Sequence, residues 1–362
     1  MKGKKTLKVN KGVEAPDVLN EALLNNIRLR KIKLMPASYY VSGILKGQIN
    51  ILSQAITIIE STLTEHRHLA DILIEQCLPH AGKSLRIGIT GVPGVGKSTF
   101  IEALGKHIIS RKHKLAVLAV DPSSSRTKGS ILGDKTRMED LSTLPEAFIR
   151  PSPSGGNLGG VARKTRETII LCEAAGFDVI FIETVGVGQS ETTVKDMVDF
   201  FLLLMLAGAG DELQGIKRGI MEMADMVVVN KADGNNYENA LRAKAEYANA
   251  LHLFPAQPSG WKIPVEISSA LTKFGIDKVW ENIEAYLKLT QNNGFFESNR
   301  INQQKKCFND TIINELHQKL FNDKQTALLF KELENQLIQK KLSPYKAANQ
   351  IIESFLKRNK DA

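Results

Sequence analysis

The residues most able to do chemistry form a glycine-rich octapeptide, GVPGVGKS, at positions 91–98. It has the spacing GxxxxGK[ST] and lies between an apolar run and a helical pattern, the context in which this motif forms a phosphate-binding loop. Glycines let backbone N–H groups surround a phosphate, and the following helix adds the positive end of its dipole. We expect phosphate contacts from Gly91, Val92, Pro93, Gly94, Val95, Gly96, Lys97, Ser98 and Thr99.

Two residues of this loop have separate expected tasks. The Lys97 ammonium should bridge the β- and γ-phosphates of a nucleoside triphosphate and act as a catalytic cation. The Ser98 hydroxyl should be a ligand of Mg²⁺. The pattern therefore predicts a nucleotide-hydrolysing site, and a glycine-rich turn without a ligand is the alternative.

A second motif, Asn230-Lys231-Ala232-Asp233, follows a short apolar run and predicts which base the nucleotide carries. The Asp233 carboxylate can accept hydrogen bonds from guanine N1–H and the exocyclic amine, whereas adenine offers neither donor. An adenine nucleotide would leave a desolvated carboxylate unpaired, which is the basis of strong discrimination. Lys231 can lie along the purine face. The motif predicts GTP and GDP as ligands.

A third short segment, Ser268-Ser269-Ala270, follows the apolar run 265–267. In GTPases of this kind a backbone contact to the guanine carbonyl comes from this place. Taken alone, the segment is equally compatible with an ordinary turn. Together with the two motifs above, it predicts a base contact.

Carboxylates that could serve a magnesium ion stand at the ends of two other apolar runs. Glu183 follows the run 177–182, and the Gly186 amide after it can meet a γ-phosphate. Asp121 ends the run 115–120 and is either a second magnesium-linked carboxylate or a turn residue. Most GTPases have a glutamine directly after the glycine, but here Val187 stands there. The residue that orients the attacking water is therefore not identified by spacing.

Two polar segments without a helix or strand pattern lie beside these motifs. Residues 121–141 are rich in Ser, Arg, Lys and Asp, and residues 208–219 are charged and contain several glycines. Long irregular loops inside a compact domain are usually functional. The first is the natural nucleotide switch, because γ-phosphate contacts would order it and hydrolysis would release it.

The elements that must position these residues follow from hydrophobic periodicity. Apolar runs alternate with helical patterns, which predicts an α/β fold: a P-loop NTPase domain at 85–290 with a mostly parallel, doubly wound sheet. The expected strands are 85–90, 115–120, 177–182, 200–206, 226–229 and 265–267. Apolar residues spaced by three and four predict an N-terminal helical extension at 1–84 and a C-terminal helical arm at 291–362. Ser343 and Pro344 fit the start of a new helix in that arm.

Charge and composition narrow the function classes. The net charge is +9, but the excess lies in the flanks, +5 in residues 1–84 and +4 in residues 291–362, so 85–290 is neutral. A nucleic-acid enzyme would collect basic charge around its chemistry, so no nucleic acid is expected as a partner. The longest apolar run, 200–207, is too short for a membrane span. Three separated cysteines favour a reducing cytoplasm. The lysine-rich start has no apolar region, which argues against a secretory signal, and no arginine, which argues against a mitochondrial presequence, so a bacterial cytoplasm is expected over a mitochondrial matrix.

From about residue 52 to 270 the chain resembles the ArgK/MeaB-type GTPases of the SIMIBI class. The likeness rests on long strings: GITGVPGVGKS at 88–98, AVDPSSS at 119–125, GSILGD at 129–134, and the segments 150–160, 183–191 and 207–219. Members of that family act as G-protein chaperones of adenosylcobalamin-dependent methylmalonyl-CoA mutase. The resemblance implies a homodimer formed through the C-terminal arm, which makes residues 291–362 a dimerisation arm. Slow intrinsic GTP hydrolysis is expected because no glutamine directly follows Gly186, and no cobalamin is expected to bind this chain directly. An adenosyltransferase is a possible further partner.

The resemblance also implies residue roles. It makes Asp121, Asp134 and Glu183 the magnesium-linked carboxylates. It makes residues 208–217 a third switch that relays the nucleotide state to the mutase, with Asp211, Gln214 and Lys217 as its notable side chains.

Three related functions are the alternatives. A nickel-insertion GTPase of the same class would need a histidine-rich tract or paired cysteines, and this sequence has neither. A protein-targeting GTPase would need a methionine-rich helical domain, but the eight methionines are dispersed. A kinase of a transport system needs a phosphoacceptor site and a base for it, and no sequence pattern identifies either. A nucleotide-gated scaffold whose hydrolysis is too slow to matter is a non-enzymatic alternative.

Overall fold

A computed structural model describes residues 34–120, 138–151, 158–184, 190–208 and 218–358. Within these ranges, one sheet of seven strands forms the centre of the fold. The strands are β1 (Leu85–Gly91), β2 (Leu115–Val120), β3 (Ala147–Pro151), β4 (Val179–Thr184), β5 (Phe200–Leu206), β6 (Met226–Asn230) and β7 (Val265–Ile267). Their order is β3-β2-β4-β1-β5-β6-β7, and every neighbouring pair is parallel. The predicted α/β class of a P-loop NTPase is confirmed.

The six expected strands all form, and one strand was not predicted. The run 177–182 becomes a strand only at Val179, and the amide of Phe177, two residues earlier, donates to the carbonyl of Cys172 outside the sheet. The additional strand, β3, lies at the edge of the sheet beside β2 and is only partly buried. Its sequence, AFIRP, has no long apolar run, since an edge strand needs little hydrophobic surface.

Helices cover both faces of this sheet, and three more form the C-terminal arm. They are α1 (Ala37–Leu45), α2 (Ile49–Glu60), α3 (Thr64–Cys77), α4 (Lys97–Ser110), α5 (Glu139–Ser142), α6 (Leu158–Ala174), α7 (Ser190–Lys195), α8 (Arg218–Met223), α9 (Tyr237–Leu251), α10 (Ile276–Asn292), α11 (Phe295–Asn322), α12 (Lys324–Ile338) and α13 (Pro344–Arg358). Helices α1, α2, α3, α6 and α7 share one apolar core with one face of the sheet, and α9 continues that cover over β6 and β7. Helices α4 and α10 cover the opposite face.

The predicted helical character of the flanks is confirmed over the described residues. The new helix expected at Ser343-Pro344 begins at Pro344, and the Lys346 amide donates to Ser343 Oγ at 3.3 Å. Helix α11 runs through 28 residues without a break. Near its start, the Gln303 side-chain amide donates to the carbonyl of Val198 at 2.7 Å, beside the beginning of β5. The division at residues 84/85 and 290/291 stays a prediction.

Parallel strands bring their carboxyl ends to a single edge of the sheet, and ligands of such sheets bind beyond that edge. Gly91, Thr184, Asn230 and Ile267 end their strands there. Along the described ranges, no helix is both long enough and apolar enough to pass through a lipid bilayer.

Candidate nucleotide site

The phosphate-binding loop lies where the sequence motif predicts it, between β1 and α4. Gly94 and Gly96 have φ angles of 77° and 85°, in the left-handed region that favours glycine. Gly91 is needed for a different reason, because a Cβ there would stand 2.5 Å from the carbonyl oxygen of Leu204 on β5. Two of these glycines are therefore required by their backbone conformation, and the third by the close approach of a neighbouring strand.

The Lys97 side chain folds back over this loop. Its Nζ donates to the carbonyl of Gly91 at 2.9 Å and to that of Val92 at 3.4 Å. Burial lowers the pKa of the Lys97 ammonium, and the negative charges of Glu183 and Glu191 oppose that shift. The ammonium is thus held at the mouth of the loop by weak neutral acceptors, which a phosphate oxygen can replace with a stronger charge-assisted bond.

Asn230 connects the phosphate loop to the segment 268–270. Its buried side-chain amide donates to the carbonyl of Val95 at 2.8 Å. On the other side, its Oδ1 accepts from the Ala270 amide at 3.2 Å and from the Ser268 hydroxyl at 3.3 Å. One side chain therefore fixes the distance between the loop for the phosphates and the corner predicted to hold the base.

Asp233 lies in that same corner, at the mouth of the sheet between β6 and β7. The Ser269 hydroxyl donates to its Oδ2 at 2.5 Å, and the Ala232 amide donates to the Ser268 carbonyl at 2.9 Å. A carboxylate oxygen has two lone pairs, so Oδ2 can accept from Ser269 and from a guanine donor together. The carboxylate is oriented before a base binds.

Lys231 adopts the left-handed conformation, with φ at 61°, and its side chain is exposed. The side-chain amide of Asn236 donates to the Lys231 carbonyl at 2.8 Å and holds this turn. Positive φ is uncommon for a residue other than glycine and marks a turn with a special task. The geometry leaves the Lys231 stem beside the corner formed by Asn230 and Asp233.

Glu183 and Ser98 supply the described oxygen donors that suit a magnesium ion. Glu183 is half-buried near the end of β4, in register with Ile89 of β1 and Ala119 of β2, and its charge acts on Lys97. Ser98 lies in the first turn of α4. A hydroxyl and a carboxylate are hard donors of the kind Mg²⁺ prefers, with water and phosphate oxygens completing its shell. Over the described residues, no group of three His, Cys, Asp or Glu side chains is placed to hold a metal.

The family model for the methylmalonyl-CoA mutase-associated GTPase MeaB matches residues 52–325 of this chain. The chain belongs to the MeaB family. The matched span includes the phosphate loop, Glu183 and the corner at Asn230 and Asp233.

Relatives with curated names extend the likeness of this MeaB-family chain over most of its length. A probable GTPase of Mycobacterium tuberculosis is 50% identical over 307 residues, which cover 85% of this chain and 91% of the relative. The GTPase ArgK of Escherichia coli is 52% identical over 238 residues, covering 66% and 72%. The mitochondrial methylmalonic aciduria type A homolog of Mus musculus is 44% identical over 328 residues, covering 88% and 79%.

A solved structure described as a LAO/AO transport system kinase has a similar fold. It superposes with a TM-score of 0.73 at 35% identity and covers 94% of this chain and 99% of its own. With GTPases among the named relatives, these likenesses show that this MeaB-family chain is a GTPase that hydrolyses GTP.

Several predicted site residues of this MeaB-family chain lie outside the described ranges. These are Asp121, Asp134, Gly186, Asp211, Gln214 and Lys217. Of the predicted residues inside the described ranges, the structure brings together the phosphate loop, Asn230, Asp233 and the segment 268–270. Glu183 joins them through its electrostatic effect on Lys97.

Two features of the site were missed by sequence reasoning. Thr90 and Thr184 form a hydrogen bond just behind the phosphate loop. Glu191, at the start of α7, is fully buried and its charge reaches Lys97. The sequence did contain a signal for Glu191. This residue directly follows the string GVGQS and lies within the segment 183–191, one of those on which the family resemblance rests.

Proposed function

We propose that this MeaB-family GTPase is magnesium-dependent and gates the loading and protection of adenosylcobalamin on a methylmalonyl-CoA mutase. The observation that carries the proposal is the oriented Asp233 carboxylate, joined through Asn230 to the phosphate loop. This arrangement suits a guanine nucleotide whose γ-phosphate state is read at the loop. The family's name supports the mutase as the client.

The site residues divide the chemistry among them. Asp233 accepts from guanine, Lys231 lies along the base, and the segment 268–270 supplies a backbone contact to the guanine carbonyl. The backbone N–H groups of residues 91–99, except Pro93, which has none, surround the β-phosphate. The Lys97 ammonium leaves the carbonyls of Gly91 and Val92 and pairs with the γ-phosphate, where it stabilises the charge that develops as the terminal bond breaks.

Ser98 and Glu183 would hold magnesium, directly or through water, together with Asp121 and Asp134. The ion, when bound, neutralises charge on the phosphate oxygens. We propose that Gly186 contacts the γ-phosphate and that Asp211, Gln214 and Lys217 form the switch that reports its presence to the client. No residue is assigned to position the attacking water, which agrees with slow hydrolysis in the absence of a partner.

A second copy of this chain is the partner we propose for the C-terminal arm. Its three helices bury only a small core around Leu333, Ala347 and Ile351. Large apolar side chains of the arm remain exposed, namely Ile301, Phe308, Ile312, Ile313, Leu316, Phe321, Leu328, Phe330, Ile338, Tyr345, Ile352 and Leu356. Contiguous exposed apolar surface of this kind marks a site of protein–protein contact.

The test combines the purified chain with a methylmalonyl-CoA mutase. We expect the mutase to raise GTP turnover about 10–1000-fold, the range reached by supplying a missing cationic group. Transfer of adenosylcobalamin to the mutase should differ between the GTP-bound and GDP-bound chain. Equal transfer and unchanged turnover would contradict the gating role but leave GTP hydrolysis intact.

Lys217→Ala is the sharpest variant for this test. It should lose the stimulated rate while keeping most of the basal rate and the nucleotide affinity. Lys288→Ala, an exposed lysine on α10, is the matched control and should keep the stimulated rate. An unchanged stimulated rate in Lys217→Ala would move the relay to residues 121–141.

The kinase activity in the description of the similar solved structure is the second candidate. It predicts that the γ-phosphate of labelled GTP ends on a protein, whereas a GTPase switch releases all of it as inorganic phosphate. Gel analysis of the labelled reaction with a cell extract of the host separates the two outcomes.

A further inference from the structure

Two buried threonines join β1, which leads into the phosphate loop, to β4, which carries Glu183. Thr90 precedes Gly91 at the end of β1, and Thr184 follows Glu183 at the end of β4. Their hydroxyl oxygens are 2.7 Å apart, and the residues are 1% and 0% exposed. The pair stands one residue beyond the backbone register pair Ile89 and Glu183.

The two hydroxyls lie behind the site and not in it. Side chains alternate along a strand, so Thr184 shares its sheet face with Ile182, and Thr90 shares its face with Gly88. A Cβ at Gly88 would lie 3.0 Å from a methyl group of Val194, so this is the face that α7 covers. Glu183 and Ile89 occupy the opposite face, which carries α4 and its first residue, Lys97. The threonines are therefore placed to position other groups, without contact to a nucleotide.

Stability alone gives little reason for hydroxyls at these two places. The neighbouring side chains on this face, Ile180, Ile182 and Phe201, are apolar and buried. The Thr184 hydroxyl donates its proton to the Thr90 oxygen, so the Thr90 hydroxyl proton takes no part in this bond. Within the described ranges, neither hydroxyl makes another hydrogen bond. Replacing both partners of such a bond by apolar groups of the same shape is often neutral or stabilising.

A hydrogen bond restricts both the distance and the direction between two atoms. Two valines, which have the same shape as threonine, would not provide this restriction. Apolar contact is non-directional and would allow the strand ends to shift against each other. On one strand end, the Gly91 carbonyl accepts from Lys97 Nζ at 2.9 Å. On the other, Glu183 directly precedes Thr184. A shift between the two ends would change the distance from the Glu183 carboxylate to the Lys97 ammonium.

We propose that the Thr90–Thr184 hydrogen bond is a positioning device for GTP hydrolysis, which holds Glu183 at a set distance from Gly91 and Lys97. Both threonines are positioning residues that act through these neighbours. A misplacement of about 1 Å at a reacting centre can cost on the order of 100-fold in rate. Loss of the bond should thus reduce turnover more than it reduces nucleotide binding.

The test compares Thr90→Val, Thr184→Val, the double valine variant and Thr184→Ser. Each single valine leaves a buried hydroxyl without its partner, so we expect a lower melting temperature and about a 10–100-fold lower kcat. The double variant should regain the wild-type melting temperature while its kcat stays low. Thr184→Ser keeps the hydroxyl and should retain kcat within about threefold. Thr290→Val, which removes a buried hydroxyl bonded within α10, is the control and should leave kcat unchanged.

A binding measurement separates positioning from general damage. We expect the double valine variant to bind a fluorescent GDP analogue as the wild type does. It should need about tenfold more magnesium for half-maximal binding of a non-hydrolysable GTP analogue, because the carboxylate of Glu183 is displaced. A double variant with wild-type kcat and wild-type magnesium titration overturns the proposal, since the bond would then be structural only.

If the double valine variant does not fold, a second double variant tests the role of the two hydroxyls. The variant Thr90→Ser with Thr184→Ser keeps both hydroxyls and removes both γ-methyl groups. Retained kcat in this folded variant supports the role of the hydroxyls. A loss of kcat as large as in the single valine variants overturns it, because methyl packing would then be the decisive contribution.

Discussion

Arg300 of α11 donates two hydrogen bonds to Asp199, from Nε to Oδ1 at 2.8 Å and from Nη2 to Oδ2 at 2.7 Å. Both residues are buried. The guanidinium also donates to the carbonyls of Gly82 and Ser84, and Asp199 Oδ2 accepts from the Arg86 amide at 2.8 Å. The first turns of α11 are therefore bonded to the starts of β1 and β5, at the edge of the sheet opposite the nucleotide.

Arg300→Ala should lower the free energy of unfolding by about 3–5 kcal/mol, because it leaves the buried Asp199 carboxylate without its partner. Urea unfolding followed by circular dichroism measures the change. Lys306→Ala is the control, since it removes a more exposed ion pair with Asp196 on the same helix and should cost no more than about 1 kcal/mol. A loss below about 1 kcal/mol in Arg300→Ala would mean that the ion pair adds nothing to the fold.

The proposed homodimer is best tested without shortening the chain, because a chain that ends near residue 291 loses Arg300. Phe308→Asp combined with Leu316→Asp charges the exposed stripe of α11, where these side chains are 66% and 58% exposed. We expect light scattering to give a monomer that still binds GDP. Leu253→Asp, at an 80% exposed position before β7, should leave the dimer unchanged. A dimer in both variants would place the interface elsewhere.

Asp233→Asn should relax the choice of base. The wild type should prefer GTP over ATP by at least ~100-fold, since adenine lacks both donors for the carboxylate. The variant replaces one acceptor by a donor that meets the N1–H or the amine of guanine, so GTP affinity should fall and ATP should compete. Competition binding with labelled GDP gives both affinities, and Glu238→Gln on the exposed start of α9 is the control. Equal affinities of the wild type for ATP and GTP would refute the assignment of Asp233.

Lys97→Ala should abolish turnover, by at least about 100-fold, and weaken GTP more than GDP. The reason is that the ammonium meets the charge of the γ-phosphate, which GDP lacks. Phosphate release and nucleotide titration measure the two effects. Lys106→Ala, on the same helix but bonded to Asp140, should change neither. Turnover within tenfold of the wild type would exclude this lysine as the catalytic cation.

The sequence by itself determined the parts of this protein that depend on local chemistry. The octapeptide 91–98 and the motif 230–233 could be recognised in the sequence. A loop that binds phosphate and a corner that binds a base both need particular residue types at a fixed short spacing. Six strands and the helix that begins at Pro344 followed from periodicity and capping, which act between residues close in the chain. The family likeness then implied switch residues such as Lys217, whose roles stay predictions.

Only the tertiary structure decided how these parts are held together. Asn230 reaches Val95, 135 positions earlier in the chain, and Arg300 reaches Asp199, 101 positions earlier. The Thr90–Thr184 bond joins strands that are neighbours only because β4 lies between β2 and β1 in the sheet. No periodicity signals such contacts, because strand order arises from packing of the whole chain and not from local propensity. For the same reason the edge strand β3, which buries little apolar surface, became recognisable only beside β2.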